Sequence, residues 1–197
     1  MDPITFRRWR DLTYHDPAEK LREYVATLRE VEAAIAGQEV EPDAVGVFAL
    51  RTNELNRFRE LRDGALFAYG MGLAFGMKIG IAADEDVDHD CITAWVEGDT
   101  PTYCPVQLKE LPPEDRNPDL TIEGLLRDLP KRYAPTKTAL VVRLSRAGHV
   151  MLDRDWPAVP FGGLWFLWAS APGAAEWSIH GDALGPAPRQ WSFDYPE

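Results

Sequence analysis

Hydrophobic and polar positions along the first third of the chain predict two long helices. Apolar residues recur at helical spacing over residues 21–35. Asp16 suits the N-cap of this helix, Pro17 suits its first turn, and Gly37 can end it. A second helix is predicted over residues 53–76. Because its start is polar and its end is apolar, we expect its C-terminal half to be buried.

The hydrophobic period then changes to that of buried strands. Three runs rich in strand formers predict a meander: 77–82, 90–96 and 103–111. A turn is predicted at 97–101, between the second and the third run. Either Asp119 or Thr121 can cap a helix that runs through Leu129. Residues 138–144 are almost continuously apolar, as expected for a strand at the centre of a sheet. Two more strand candidates lie in the C-terminal third: 164–169 and 177–180.

This order of elements predicts a mixed α/β (α+β) protein, a three-layer αβα domain with a central mixed sheet. The length of 197 residues suits one domain with an extension, so we divide the chain into an N-terminal helical extension, 1–52, and a core, 53–197. Aromatic residues cluster in the last third, where the core ends in predicted strands. A role in the core is favoured for them, and a homodimer or protein-partner surface is the alternative.

Composition places the chain among acidic globular proteins. Asp+Glu 32 against Lys+Arg 21 gives a net charge of −11, which argues against coating nucleic acid by bulk charge but allows a local basic groove. Cys91 and Cys104 are too few for a disulfide scaffold and, with no apolar leader at the charged start, predict a cytoplasmic protein. Residues 64–83 approach the length of a membrane span, but their five glycines favour a buried helix that runs into a strand.

Two small groups of basic residues are candidates for nucleic-acid contact. Lys131, Arg132 and Lys137 fall in a stretch without acidic residues. They either hold phosphates beside an acidic site or complement the end of the preceding helix. Three arginines near the N-terminus surround Trp9, whose ring either stacks on a base or, as favoured, packs against the protein.

Candidate chemistry lies in an acidic run and in a later Gln-Leu-Lys segment. Residues 84–90 read Asp-Glu-Asp-Val-Asp-His-Asp, and such a run is more often a solvated loop than a metal site. Side chains alternate along a strand, so Asp88 and Asp90 should share one face, as should Gln107 and Lys109 on the later strand. If the two strands are adjacent, Asp90, Gln107 and Lys109 converge.

Such a cluster suits metal-assisted hydrolysis of a phosphodiester. The side-chain oxygens of Asp90 and Gln107 are suited to Mg²⁺ or Mn²⁺, and the backbone carbonyl of Leu108 can add a further ligand. Such an ion polarises a phosphoryl oxygen and lowers the pKa of bound water. Lys109 can orient or deprotonate that water, or stabilise charge on phosphorus.

The pattern resembles the PD-(D/E)XK nuclease superfamily, which has the restriction-endonuclease-like fold. The similarity rests on Asp90 before an apolar strand and on the Gln-Leu-Lys of residues 107–109, and it covers the predicted helix–three strands–helix–strand order over residues 53–144. It implies that the Asp and the Gln bind the metal ion and that the Lys is catalytic. A Glu of the first core helix often contributes in this family, with Glu60 as first candidate and Glu54 as second.

The chain departs from the family pattern at two points. Gln107 stands where the commonest motif has an acid, which removes one negative charge from the metal site. The Pro of the family name is absent, since Val87 and His89 flank Asp88. Asp88 is therefore the alternative metal ligand to Asp90.

Two functions follow from these observations. The first is a metal-dependent nuclease that hydrolyses phosphodiester bonds in DNA. The second is an inactive nuclease-like fold that serves as an acidic, immunity or antitoxin-like module for a basic protein partner. The Asp and Gln-x-Lys pattern favours the first function, and the net charge of −11 favours the second.

Overall fold

The computed structural model describes residues 3–35, 53–86, 89–146 and 155–197. The helices of these ranges are α1 (Pro3–Arg10), α2 (Pro17–Ile35), α3 (Asn53–Phe75) and α4 (Ile122–Asp128), with short 3₁₀ turns at Leu129–Lys131 and Pro172–Ala174. The strands are β1 (Gly80–Asp86), β2 (His89–Glu97), β3 (Thr100–Leu111), β4 (Ala139–Leu144), β5 (Gly163–Ala169), β6 (Glu176–Gly181) and β7 (Arg189–Asp194).

The seven strands form one mixed sheet in which their spatial order equals their order along the chain. β1, β2 and β3 pair antiparallel, β3, β4 and β5 pair parallel, and β5, β6 and β7 pair antiparallel. β4 therefore lies at the centre, as its continuous apolar run predicted. The prediction of a mixed α/β protein with a central mixed sheet is confirmed.

Local capping explains where two of the helices begin. The backbone N–H of Ala18 donates to Asp16 Oδ1 at 2.8 Å, and Pro17 is the first residue of α2, as predicted. Of the two caps predicted for α4, Thr121 is correct. Its Oγ1 accepts a hydrogen bond from Gly124 N at 3.0 Å.

Helices pack on both faces of the sheet. On one face, α2 and α3 bury Leu21 and Leu66 against Val106 and Val141 of the central strands. On the other face, α4 buries Leu126 with a second apolar cluster. Burying a leucine or valine side chain contributes roughly 1.5–3 kcal/mol, so these two clusters supply most of the driving force for this arrangement.

Two strands begin three residues away from the predicted start, and β1 ends at Asp86 rather than at residue 82. β1 begins at Gly80 rather than at residue 77, because Gly76 ends α3 with a φ of +61° and Met77 N still donates to Gly72 O at 2.9 Å. β3 begins at Thr100 rather than 103, because the hairpin turns within Gly98-Asp99 and Pro101 already pairs with Val96. The short helix α1 and strand β7 were not predicted.

The aromatic residues of the last third mainly pack in the core. Phe161, Phe166, Trp177 and Phe193 are buried, as the favoured interpretation predicted. No helix within the described ranges is long and apolar enough to cross a membrane.

Tyr24 of α2 gives the fold a measurable response to alkaline pH. Its ring packs edge-on against Phe58 of α3 at 4.6 Å between centroids, and burial raises the pKa of Tyr24 from 10 to about 12. The unfolded chain loses this proton first, so stability is fully present below pH 10 and falls as pH rises towards 12. Urea unfolding at pH 8 and pH 11 should show this loss.

Tyr24→Phe is the matched control, because phenylalanine keeps the ring and removes the ionising group. We expect the loss of stability between pH 8 and pH 11 to be smaller in this variant. An unchanged pH dependence in Tyr24→Phe would assign the alkaline response to other groups.

Candidate functional site

Asp90 and Gln107 join β2 to β3 through their side chains. Cys91 pairs with Val106, so Asp90 falls opposite Gln107 on the neighbouring strand. Asp90 Oδ2 accepts a hydrogen bond from Gln107 Nε2 at 2.5 Å and another from Leu108 N at 2.6 Å. The strand adjacency that the sequence analysis required is therefore present, and the structure brings these two residues together.

The amide of Gln107 sits between two oxygens of the candidate ligand set. Its Nε2 lies 2.5 Å from Asp90 Oδ2 and 3.4 Å from the backbone carbonyl oxygen of Leu108. Gln107 is only 3% exposed, so its amide needs protein partners. The partly positive N–H₂ group of Gln107 thus lies between Asp90 Oδ2 and the Leu108 carbonyl oxygen, where a cation would have to bind.

Lys109 shares the Gln107 face of β3, about 7 Å further along the strand. Its Nζ lies 5.3 Å from the centroid of the Tyr133 ring. Tyr133 follows the 3₁₀ turn after α4, so this contact places the turn beside β3. Lys109 therefore shares a face of β3 with Gln107, and the contact found for its ammonium group is with the Tyr133 ring.

Glu60 of α3 belongs to the opposite face of the sheet, near Cys91. Burial raises the pKa of the Cys91 thiol well above its ordinary value, and the charges of Asp90, Cys104 and Glu60 raise it further. The carboxylates of Asp90 and Glu60 thus both raise the pKa of the buried Cys91 thiol. Glu54 is a residue of α3 about whose side chain nothing is described, and Asp88 lies outside the described residues.

Cys91 and Cys104 are free thiols with raised pKa values, so we expect both to react slowly with Ellman's reagent at pH 8 in the folded protein. Cys91 should be the slower, because it is fully buried while Cys104 is partly exposed. In urea the two should react at similar rates. Cys104→Ser leaves Cys91 alone for measurement, and its rapid labelling in buffer would contradict the packing of α3 on the sheet.

The donor set fits a hard cation only in part. Within the ranges that the structure describes, no group of three or more His, Cys, Asp or Glu side chains is placed to hold a metal ion. Asp90, the Gln107 amide and the Leu108 carbonyl are the oxygen donors at the β2–β3 junction. To present Oε1 to a cation, the Gln107 amide would have to turn about its last side-chain bond. Water and phosphate oxygens would complete such a site.

Two of the three basic residues predicted to contact nucleic acid are next to Tyr133, the aromatic partner of Lys109, in the sequence. Lys131 and Arg132 directly precede Tyr133, and both are exposed, as is Lys137. Lys131 Nζ also lies 2.6 Å from Asp128 Oδ1 at the end of α4, so it pairs locally at the helix terminus. The basic turn is therefore accessible next to the Lys109 face of β3.

A second polar cluster at the edge of the sheet escaped the sequence analysis. Asp84 is 8% exposed, accepts a hydrogen bond from the Arg8 guanidinium of α1, and lies 3.4 Å from His89 Nε2. Residues 84–86 belong to β1, so the interpretation of this part of the acidic run as a solvated loop is wrong. The sequence did contain a signal, because strand alternation places Asp84 on the same face as the apolar Ala82.

The structure also corrects one of the two interpretations of Trp9. Its side chain is 4% exposed and meets the His89 ring edge-on at 5.8 Å. A buried ring has no face for a base, so stacking on nucleic acid is wrong and packing against the protein is the role of Trp9.

Searches among known protein families, curated proteins and solved structures found no match for this chain. Fold and site geometry alone therefore carry the functional argument. They define a mixed-sheet protein with a carboxylate–amide pair across β2 and β3 and a lysine on the same face.

Proposed function

We propose that this protein is a metal-dependent nuclease that hydrolyses phosphodiester bonds in DNA. The contact of Asp90 with Gln107 at 2.5 Å carries the proposal, because it joins two residues from separate motifs of the sequence. Lys109 lies on the same face of β3. A carboxylate, an amide and a lysine on one face of the sheet are groups that such a reaction uses.

The order of the secondary structure supports a restriction-endonuclease-like core. α3, β1, β2, β3, α4 and β4 follow one another, which is the helix–three strands–helix–strand order that the resemblance implies. Asp90 is the second residue of β2, and it lies opposite Gln107 near the middle of β3.

Within this proposal, Asp90, Gln107 and Leu108 would hold Mg²⁺ or Mn²⁺. The resemblance also implies a role for Glu60, which belongs to the α3 face of the sheet, opposite this pair. The ion supplies a polarised phosphoryl oxygen and a more acidic water when bound. Lys109 stabilises negative charge on the reacting phosphate. The exposed Lys131 and Arg132 would bind phosphates of the DNA backbone.

The test is cleavage of linear, circular and single-stranded DNA in Mg²⁺ or Mn²⁺, with and without EDTA. We expect Lys109→Ala to lower the rate by about a hundredfold or more, the range for losing a positioned proton donor or charge stabiliser. Lys78→Ala, at an exposed lysine before β1, is the matched control and should cleave like wild type. Cleavage that persists in EDTA, or in Lys109→Ala, would contradict the proposal.

One observation favours the second candidate, an inactive fold that binds a basic protein. Asp90 Oδ2 already accepts hydrogen bonds from Gln107 and from the backbone of Leu108, as a structural carboxylate does. With a net charge of −11, such a fold suits an immunity or antitoxin-like role. No cleavage, and no thermal shift with either metal ion, would decide for this candidate.

The partner or a second copy would then bind through the C-terminal aromatic region, where Trp191 of β7 is only partly buried.

A further inference from the structure

Tyr133 is the aromatic partner of the lysine in the candidate site. The Lys109 Nζ lies 5.3 Å from the centroid of the Tyr133 ring, within the distance at which an ammonium group is attracted to an aromatic face. Tyr133 belongs to none of the motifs that the sequence analysis identified. It reaches Lys109 because α4 and the turn after it return the chain to the Gln107 face of β3.

The Tyr133 ring has an aromatic neighbour, and its backbone is hydrogen-bonded. It packs against Phe161 with 5.2 Å between ring centroids, and Phe161 is 6% exposed. Tyr133 N donates to Leu129 O, in the preceding 3₁₀ turn, at 3.0 Å. A fixed ring therefore faces a lysine whose four-carbon stem is flexible.

We infer that Tyr133 is a positioning residue for Lys109 in the proposed cleavage reaction, on which this inference rests. The ring restricts the ammonium group to the side of β3 that carries Gln107 and Asp90. Without the ring, the lysine populates more rotamers and less of it stands where a phosphate arrives. The loss falls on kcat rather than KM, because the exposed Lys131 and Arg132 still bind phosphates.

The kinetic test compares wild type with Tyr133→Phe, Tyr133→Leu and Phe161→Leu in the full chain, on the DNA that wild type cleaves best. Tyr133→Leu is expected to lower kcat about tenfold or more and to leave KM nearly unchanged. Tyr133→Phe keeps the ring and should retain the wild-type kcat. Phe161→Leu keeps the Tyr133 ring but loosens its support, so it should lower kcat by less than Tyr133→Leu does. Tyr133→Met replaces Tyr133→Leu if the latter does not fold.

A spectroscopic measurement follows the contact without reference to activity. Lys109 is one of five lysines, so the spectrum of protein labelled with ¹³C at the lysine ε-carbons is simple, and Lys109→Arg assigns its signal. Ring current should shift the Lys109 ε-protons upfield in wild type and Tyr133→Phe. That shift should disappear in Tyr133→Leu.

Each outcome distinguishes this inference from the proposed function. Active wild type with an unchanged kcat in Tyr133→Leu would overturn the positioning role and leave the nuclease proposal standing. Equal losses in Tyr133→Phe and Tyr133→Leu would assign the effect to the hydroxyl, and an equal loss in Phe161→Leu would assign it to packing; both overturn the inference. If wild type cleaves no DNA, the nuclease proposal fails and the inference fails with it.

Discussion

Asp90→Ala is expected to lower the free energy of unfolding by about 2–4 kcal/mol in a buffer that contains EDTA and no DNA. The Asp90 carboxylate accepts hydrogen bonds from Gln107 Nε2 and Leu108 N at 2.5 and 2.6 Å. Hydrogen bonds to charged groups contribute about 1.5–3 kcal/mol each, and a buried donor left without a partner adds its desolvation cost. Gln107 is buried and cannot turn to water without moving β3.

Urea unfolding of three variants measures this effect. Asp90→Asn keeps the shape and one acceptor oxygen and should lose less stability than Asp90→Ala. Asp99→Ala, in the exposed turn between β2 and β3, should stay within about 0.5 kcal/mol of wild type. Wild-type stability in Asp90→Ala would show that the carboxylate does not join β2 to β3, and the candidate site would lose its geometric basis.

The same variants connect stability to metal binding. If Asp90 holds a cation as proposed, Mg²⁺ or Mn²⁺ should raise the melting temperature of wild type and leave that of Asp90→Ala unchanged. An equal rise in both proteins would place the ion elsewhere.

Gly70→Ala is expected to lower the free energy of unfolding by about 1–3 kcal/mol, although alanine is the better helix former. Gly70 lies in the buried middle of α3, where the helix approaches β6 and β7. The prediction of a buried C-terminal half is wrong for the last turn, where Leu73 and Phe75 are exposed. A Cβ at this position would stand 2.4 Å from Phe193 Cε1 and 2.6 Å from Ile179 Cδ1. Both neighbours belong to the packed core, so the helix or the sheet must move.

A double-mutant cycle identifies the cause of this loss. Phe193→Leu removes the ring that the new methyl group meets, so Gly70→Ala/Phe193→Leu should be more stable than the sum of the two single effects predicts. Additive effects, or a stabilised Gly70→Ala, would contradict the close approach of α3 to the sheet.

Much of the fold can be predicted from local sequence patterns, such as helix caps and runs of apolar residues. Asp16-Pro17 marks the start of α2, and the continuous apolar run of β4 places that strand at the sheet centre. The pairing of Asp90 with Gln107 follows from strand alternation and a short hairpin, so it is also predictable.

The parts that sequence reasoning missed depend on contacts between distant segments. Tyr133 reaches Lys109 only because α4 packs back onto the sheet, and no local pattern encodes that return. Arg8 similarly meets Asp84 through the docking of α1 at the edge of the sheet. β7 was missed because its alternating run, residues 190–193, is short and has prolines on both sides, and the strand forms because it pairs with β6.

The identity of strand order and chain order has a consequence for synthesis on the ribosome. Every strand after β1 pairs with the strand made just before it, so the sheet can grow from one edge as the chain emerges, without waiting for later segments to insert. Asp90 and Gln107 can pair once β3 has left the exit tunnel, while β4 to β7 are still to come. Lys109 meets Tyr133 only after α4 has been made, so the candidate site is completed from its acidic side towards its basic side.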